Sequence, residues 1–424
     1  MDCTRNSRRI SRPRRVTNPS AAGLRDTQVA LAVSSVAHTF AHMFMLLYAT
    51  VVLVIETKFG FSYADLQWLA VPGFVMFGVA ALPAGWLADR WSAPGMMAVF
   101  FFGVGGAAVV TGLADTRIGL MIGLTAIGTF AAIYHPVGIS WLVRNAPNPG
   151  RALGINGVFG SMGTAGAALV AGVLAEFFGW RAAFFVPGLI SIGVGVVFVI
   201  LILRGNVRET PGVAQPAAQA IPARDVRRAF LALFATVIAV GLIFQSTSVA
   251  MPKIFADRLV GDGGALAAGS LVALVYAISA ATQLIGGELA DRFSLKRVYM
   301  WTQVLQIPVI MMAFLTFNYG LVVLAIAMVG LNVAGQPAEN ALLARYTPLA
   351  WRGRMFGVKF VLTLGVGTLG VALVPAIAAW TGSLDLLFLA LAFFACSAGL
   401  TASLLPPDPA QTRVGDPVAT SEGN

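Results

Sequence analysis

Charge is scarce in this 424-residue sequence. Charged side chains make up 11% of it, where soluble domains carry roughly 25%, and that deficit excludes a water-soluble chain. Cysteine is nearly absent. Cys3 lies in an arginine-rich leading segment and Cys396 in the last apolar run, so neither a disulfide framework nor a thiolate metal site can be assembled. There is no Gly-Lys-Ser/Thr phosphate loop, which argues against ATP hydrolysis by this chain. The first 27 residues carry seven arginines and no apolar stretch, unlike a cleavable secretion signal. Strict polar/apolar alternation, the mark of a membrane barrel, is missing too. Runs such as Val99-Phe100-Phe101-Phe102-Gly103-Val104 are apolar throughout.

What the sequence has is apolar length. Hydrophobic residues reach 58% and the mean hydropathy is +0.82. A bilayer core of about 30 Å needs about 20 residues of helix to cross it. About twelve such stretches occur, near 30–54, 66–87, 95–113, 118–142, 153–178, 182–203, 229–252, 267–289, 298–316, 320–344, 355–379 and 383–405. Lipid offers the backbone no hydrogen bonds, so without barrel alternation each stretch must be a helix. The 46 glycines suit helices packed closely in lipid. Gly157, Gly160, Gly163 and Gly166 form a small-residue stripe on the fifth span, read either as plain packing or as a bending or sliding surface.

Basic residues fall unevenly between the spans. Lys58, Arg117, Arg181, Lys253 and Arg258 are the only ones of 28 on one side. The positive-inside rule then puts both termini in the cytoplasm, in agreement with an even number of spans. The net charge of +10 is spread over one membrane face rather than gathered into a nucleic-acid patch. Residues 1–27 read as an Arg-rich cytoplasmic tail near anionic headgroups. The polar, Pro/Ala/Gln-rich stretch 204–228 reads as a cytoplasmic linker between six-helix bundles at 28–203 and 229–405, with 406–424 as a second tail.

The chain also repeats itself. Gly85-Trp86-Leu87-Ala88-Asp89-Arg90 returns 202 positions later as Gly287-Glu288-Leu289-Ala290-Asp291-Arg292, each copy at the end of an apolar run. His135-Pro136 corresponds to Gln336-Pro337, and Arg144 to Arg345. A repeat near half the chain length means two similar bundles in tandem. The fold class is therefore an all-α membrane protein of about twelve transmembrane helices in two pseudo-symmetric halves.

With twelve spans, a central linker and the doubled Gly-x-x-x-Asp-Arg signature, the chain resembles the major facilitator superfamily over essentially all its spans. The resemblance implies secondary active transport by alternating access, with a gating role for Gly85, Asp89, Arg90, Gly287, Asp291 and Arg292. It implies that Gly85 and Asp89 meet the start of the eleventh helix, near Arg354–Gly357, and that Gly287 and Asp291 meet the start of the fifth. An aspartate at a helix N-terminus is favourable. The signature departs from the family pattern: Trp91-Ser92-Ala93-Pro94 lacks the basic residues expected after the first copy, and Phe293-Ser294-Leu295-Lys296-Arg297 lacks the glycine. The fourth span has no arginine of the drug/proton antiporter kind. Its Tyr134-His135-Pro136 looks instead like the fosmidomycin-resistance branch of drug exporters.

The resemblance also makes the first and fourth helices of each half the lining of a central cavity. Ionisable groups inside a membrane cost about 2.5–3.5 kcal/mol at a helix centre on insertion scales, and tend to face the bundle interior. All three histidines, His38, His42 and His135, fall on such helices, and the first two share a helix face. They read as proton- or substrate-binding groups or as neutral packing residues. A metal is disfavoured, for no carboxylate or thiolate accompanies them. Glu339 and Lys359 have similar depth on consecutive spans and read as an ion pair, static or opening during transfer. Tyr134, Gln245, Gln336 and Asn340 complete the expected cavity set, and Gln245 begins a polar run through Ser246, Thr247 and Ser248.

The reading is a secondary transporter of a small solute in the inner membrane. It is expected to be proton-coupled, monomeric, without cofactor, metal or nucleic-acid partner, and to favour efflux of a drug or metabolite. The alternative is proton-coupled uptake of an organic anion or other nutrient. A non-transporting receptor or scaffold lacks the extramembrane domain it would need, and a membrane enzyme lacks a convergent catalytic set.

Overall fold

The computed structural model describes residues 21–146, 149–207, 222–261, 264–348 and 351–407, and these form helices with no strand among them. In the first half, α1 spans Ala21–Phe59, α2 Tyr63–Arg90, α3 Ala93–Gly112, α4 Arg117–Asn145, α5 Pro149–Phe178 and α6 Ala182–Leu203. In the second, α7 spans Ala223–Val260, α8 Gly264–Arg292, α10 Gly320–Tyr346, α11 Met355–Thr381 and α12 Asp385–Ser403. Between α8 and α10, α9 comes in two pieces, Leu295–Val304 and Gln306–Phe314.

Eleven of the twelve are long and apolar enough to cross a membrane. The exception, α9, is interrupted at Leu305, three residues before Pro308, whose ring nitrogen has no hydrogen for the carbonyl of Val304. The same cause recurs. Breaks or widened turns fall two to four residues ahead of Pro72 and Pro83 in α2, Pro136 in α4 and Pro337 in α10. In α4 the disturbance spreads into a π-helical turn, Tyr134–Gly138, and in α10 the helix restarts at Gln336. The repeat in sequence is thus a repeat in shape. Pro187, Pro252 and Pro375 sit inside helices without such a break.

Two helices outrun their apolar stretches. α1 begins at Ala21, inside the range 1–27 expected for a tail, and α7 begins at Ala223, inside 204–228. Hydropathy marks where a helix meets lipid, not where its hydrogen-bond ladder stops. The start of α1 is tied down by Thr27 Oγ1, which donates to the carbonyl of Asn145 at 2.7 Å, and that of α7 by Arg228 Nε, which donates to Leu404 O at 2.6 Å. Residues 1–20, 208–221 and 408–424, which hold most of the expected tails and linker, lie outside the described residues.

Burial grades across the bundle. The apolar window of α1 is 78% buried and that of α6 is 28% buried, although α6 has the highest mean hydropathy, 2.8. Its exposed face carries Leu189, Ile190, Val196, Val197 and Leu203. Such a face is stable only against hydrocarbon. Within the halves, backbones touch where glycines face each other: a Cβ on Gly105 of α3 would sit 2.6 Å from the carbonyl oxygen of Gly188 of α6. The fifth-span stripe is used for packing on two sides. A Cβ on Gly157 would lie 2.9 Å from the Gln283 amide of α8 and one on Gly160 2.5 Å from the His38 ring, while Gly163 abuts the backbone of Thr39. Gly166 faces open space.

The seam between the halves is drawn by α1 against α7, α2 against α11 and α5 against α8. At the end where α1 finishes, Lys253 Nζ of α7 lies 3.0 Å from Glu56 and 3.1 Å from Asp257, with the Tyr63 ring 5.4 Å away. Lys253 stands within α7 and its π turn rather than in a loop, which hydropathy alone did not indicate.

Candidate functional site in the seam

Two polar clusters lie in the interior, joined by one aromatic ring. The first belongs to the first half. His38 and His42, one helical turn apart on α1, have ring centroids 4.9 Å apart. The π turn in α4 swings His135 between them, 5.5 Å from each. One ring nitrogen of each lies within 4.8 Å of the others. His38 Nδ1–H donates to the backbone carbonyl of Asn156 at 2.8 Å, which fixes its tautomer and leaves Nε2 with a free lone pair. Asn156 of α5 is itself held, for Tyr134 donates to its Oδ1 at 2.7 Å and stacks on His38 at 4.7 Å. Both ring nitrogens of His135 are buried without a hydrogen-bond partner.

The second cluster belongs to the second half. Lys359 Nζ of α11 lies 2.6 Å from Glu339 Oε1 of α10, with side-chain exposures of 8% and 5%. Lys359 also donates to Asn340 Oδ1 at 2.6 Å, and Tyr299 of α9 donates to Glu339 Oε2 at 2.5 Å. A buried pair is sustained only when its remaining donors and acceptors are satisfied, and here Asn340 and Tyr299 do that. Phe360, the residue after Lys359, stacks on His135 across the seam at 4.8 Å, while Phe244 of α7 meets His42 edge-on at 6.3 Å.

Of the expected cavity set, His38, His42, Tyr134 and His135 converge in the first half, and Glu339, Asn340 and Lys359 in the second. Gln336 stands apart, accepting from Gln283 of α8 at 3.0 Å. Gln245 is buried with its Nε2 unpartnered, its Cγ packed close to Gly367. In the run after it, Ser246 bonds Gly370 O and Ser248 bonds Tyr276, leaving Thr247 unpartnered beside Asn332 in a cavity of about 10 Å³. That space suits one water, not a solute. Asn156 and Tyr299 were not picked out from sequence. Both are uncharged and act on partners 22 and 40 residues away.

The doubled signature sits differently from what the resemblance implies. Asp89 and Asp291 are exposed and form no hydrogen bond or ion pair among the described residues. Gly85 packs on Pro136 of its own half, 3.3 Å from where its Cβ would be, and a Cβ on Gly287 would meet nothing. Arg90 lies over the Trp86 ring at 4.0 Å, and Arg292 pairs with Glu288 at 2.5 Å within its own helix. Among the described residues the two aspartate-to-helix contacts are therefore not made. The seam ion pair is made at the opposite end, between Glu56 and Lys253. The Arg354 side chain lies outside the described residues.

The profile of the Major Facilitator Superfamily matches residues 34–278 and 259–421. The chain belongs to the major facilitator superfamily. It is a multi-pass membrane protein of that family. Among its relatives are a tetracenomycin C resistance and export protein of Streptomyces glaucescens, 28% identical over 47% of this chain and 38% of that one, and a probable nitrate/nitrite antiporter of Thermus thermophilus, 27% identical over 64% and 62%. A cephamycin export protein of Amycolatopsis lactamdurans is 26% identical over 78% of this chain and 74% of its own. The matches thus span less than two thirds of the length of the first two relatives. A bacterial homologue of the human lysosomal transporter Spinster shares the fold, with a TM-score of 0.68 at 18% identity over 92% of this chain and 95% of its own.

Proposed function

We propose that this superfamily member exports a small organic compound, a drug or metabolite, in exchange for protons, from the cytoplasmic membrane with both termini inside. The carrying observation is the Lys359–Glu339–Tyr299 network. A carboxylate and an ammonium buried together on α10 and α11, one residue from a ring that stacks across the seam, is a group that can take up a proton and change how the halves meet. Export is favoured by the tetracenomycin and cephamycin relatives. A second reading, uptake of an organic anion, draws on the nitrate/nitrite antiporter and on the imidazoles and Lys359 as cationic partners.

The deciding experiment is growth of deletion and overexpression strains across a panel of toxic organic compounds and carbon sources, with and without a protonophore. Export predicts that deletion sensitises and overexpression protects, and that the protonophore abolishes the protection. A growth defect on one anionic nutrient, with no change in sensitivity, would establish the uptake reading instead.

Orientation has its own test. In a background with Cys3 and Cys396 changed to Ser, Arg204→Cys should be shielded from an impermeant thiol reagent added outside intact cells, and Thr57→Cys should react. The reverse pattern would overturn the topology.

The signature aspartates are exposed here, and the proposed alternating-access cycle requires a second conformation in which helix N-termini come within reach of them. Such a contact is worth about 0.3–1 kcal/mol at the surface and up to about 2 kcal/mol when partly buried. Asp89→Asn and Asp291→Asn should insert normally and transport several-fold more slowly. Unchanged flux in both would remove their role in gating.

A further inference from the structure

We propose that His38, His42 and His135 form a binding site for one divalent transition-metal cation of the Zn(II), Co(II) or Ni(II) class. From sequence a metal is disfavoured for want of a carboxylate or thiolate. The fold supplies a different donor set, three imidazoles brought together from two helices by the π turn of α4. Three histidines with a vacant fourth position is a recognised arrangement for borderline-soft cations, and nitrogen donors discriminate against Mg(II) and Ca(II), which need oxygen.

The geometry is close to what a metal requires. With bonds of about 2.0–2.1 Å, the nitrogens of a tetrahedral site sit about 3.3 Å apart. Here one nitrogen of each ring lies within 4.8 Å of the others. The remaining closure is the change that binding requires of the three side chains. Next, His38 is already oriented as a ligand. Its Nδ1–H is committed to the Asn156 carbonyl, so Nε2 is the free donor, and such a carbonyl behind the ring is the usual support of a ligating histidine. The His38 ring also occupies the space opened by Gly160.

His135 supplies a separate argument. Both its nitrogens are buried and neither has a hydrogen-bond partner. Buried polar atoms are nearly always satisfied, and an orphan calls for an explanation. A cation held between the three rings gives it one. The nearby ammonium does not forbid this, because Lys359 is neutralised by Glu339 at 2.6 Å. Phe360 and Phe244 of the second half lie against His135 and His42, so the site belongs to the seam even though its donors come from one half.

The inference does not depend on which solute or coupling ion the transporter uses. It is tested on the full chain, purified in detergent with a histidine-free tag and with Cys3 and Cys396 changed to Ser. Co(II) and Zn(II) should bind with one equivalent per chain, give a tetrahedral Co(II) spectrum, raise the melting temperature, and be displaced by neither Mg(II) nor Ca(II). His42→Gln is the safest single variant, since His42 is half-buried and makes ring contacts but no hydrogen bond or ion pair among the described residues. It should weaken Co(II) at least about tenfold and abolish the thermal shift, while eluting as the parent does. The triple change to Gln should bind none. Absence of binding by the parent, or an equivalent retained by the triple variant, would overturn the proposal.

Discussion

Replacing Lys359 by Met, or Glu339 by Gln, should damage the protein more than replacing both. Each single change leaves one charged partner enclosed at under a tenth of its free exposure. An uncompensated buried charge usually costs about 3–5 kcal/mol. Removing the pair removes the charge from both helices and leaves only Tyr299 and Asn340 to find new partners. The expected result is a melting temperature in detergent several degrees lower for each single variant, with a smaller loss for the double. Tyr299→Phe should fall between the parent and Glu339→Gln, because it deletes one bond to the carboxylate and no charge. Additive losses in the two singles would mean that the pair contributes nothing as a pair. Flux separates structure from coupling: if the network is also the proton step, the double variant exchanges solute but no longer responds to a pH gradient.

This pair was legible in sequence because charge is scarce. With few ionisable residues inside the spans, depth alone brings Glu339 and Lys359 together. His38 and His42 were legible for a related reason, since a spacing of four fixes a shared helix face. The doubled signature gave the two halves because a repeat of local motifs survives when the rest of the sequence diverges. What stayed hidden depended on the third dimension. Tyr299 and Asn156 carry no charge and lie on α9 and α5, helices outside the expected cavity lining. The π turn that carries His135 toward α1 follows from Pro136, yet a missing hydrogen bond does not say whether a helix breaks, kinks or widens. Lys253 escaped because a hydropathy window ended α7 at 252, whereas its helix runs on and brings the ammonium to Glu56. The signature aspartates point the other way: resemblance supplied them with partners that this conformation does not give them.

The crossing of α2 and α11 should be the most sensitive point on the seam. A Cβ added to Gly78 would collide with the backbone of Gly365, and no side-chain rotation relieves a clash with backbone. Gly78→Leu therefore forbids this approach of the two halves, while each half keeps its own core. The Gly105–Gly188 contact between α3 and α6 is the control, because it lies within one half. Overpacking there typically costs about 1–3 kcal/mol, so Gly105→Leu should lower the yield of folded protein without a specific effect on the cycle. Gly78→Leu should insert and elute as the parent does, yet transport at background rate. It should also separate α1 from α7 at the Glu56–Lys253 end, so that in the cysteine-free background Thr50→Cys, fully buried here, gains reactivity toward an impermeant reagent. Parental flux from Gly78→Leu, or loss of fold equal to that of Gly105→Leu, would show that this crossing is ordinary packing and not a surface on which the transport cycle turns.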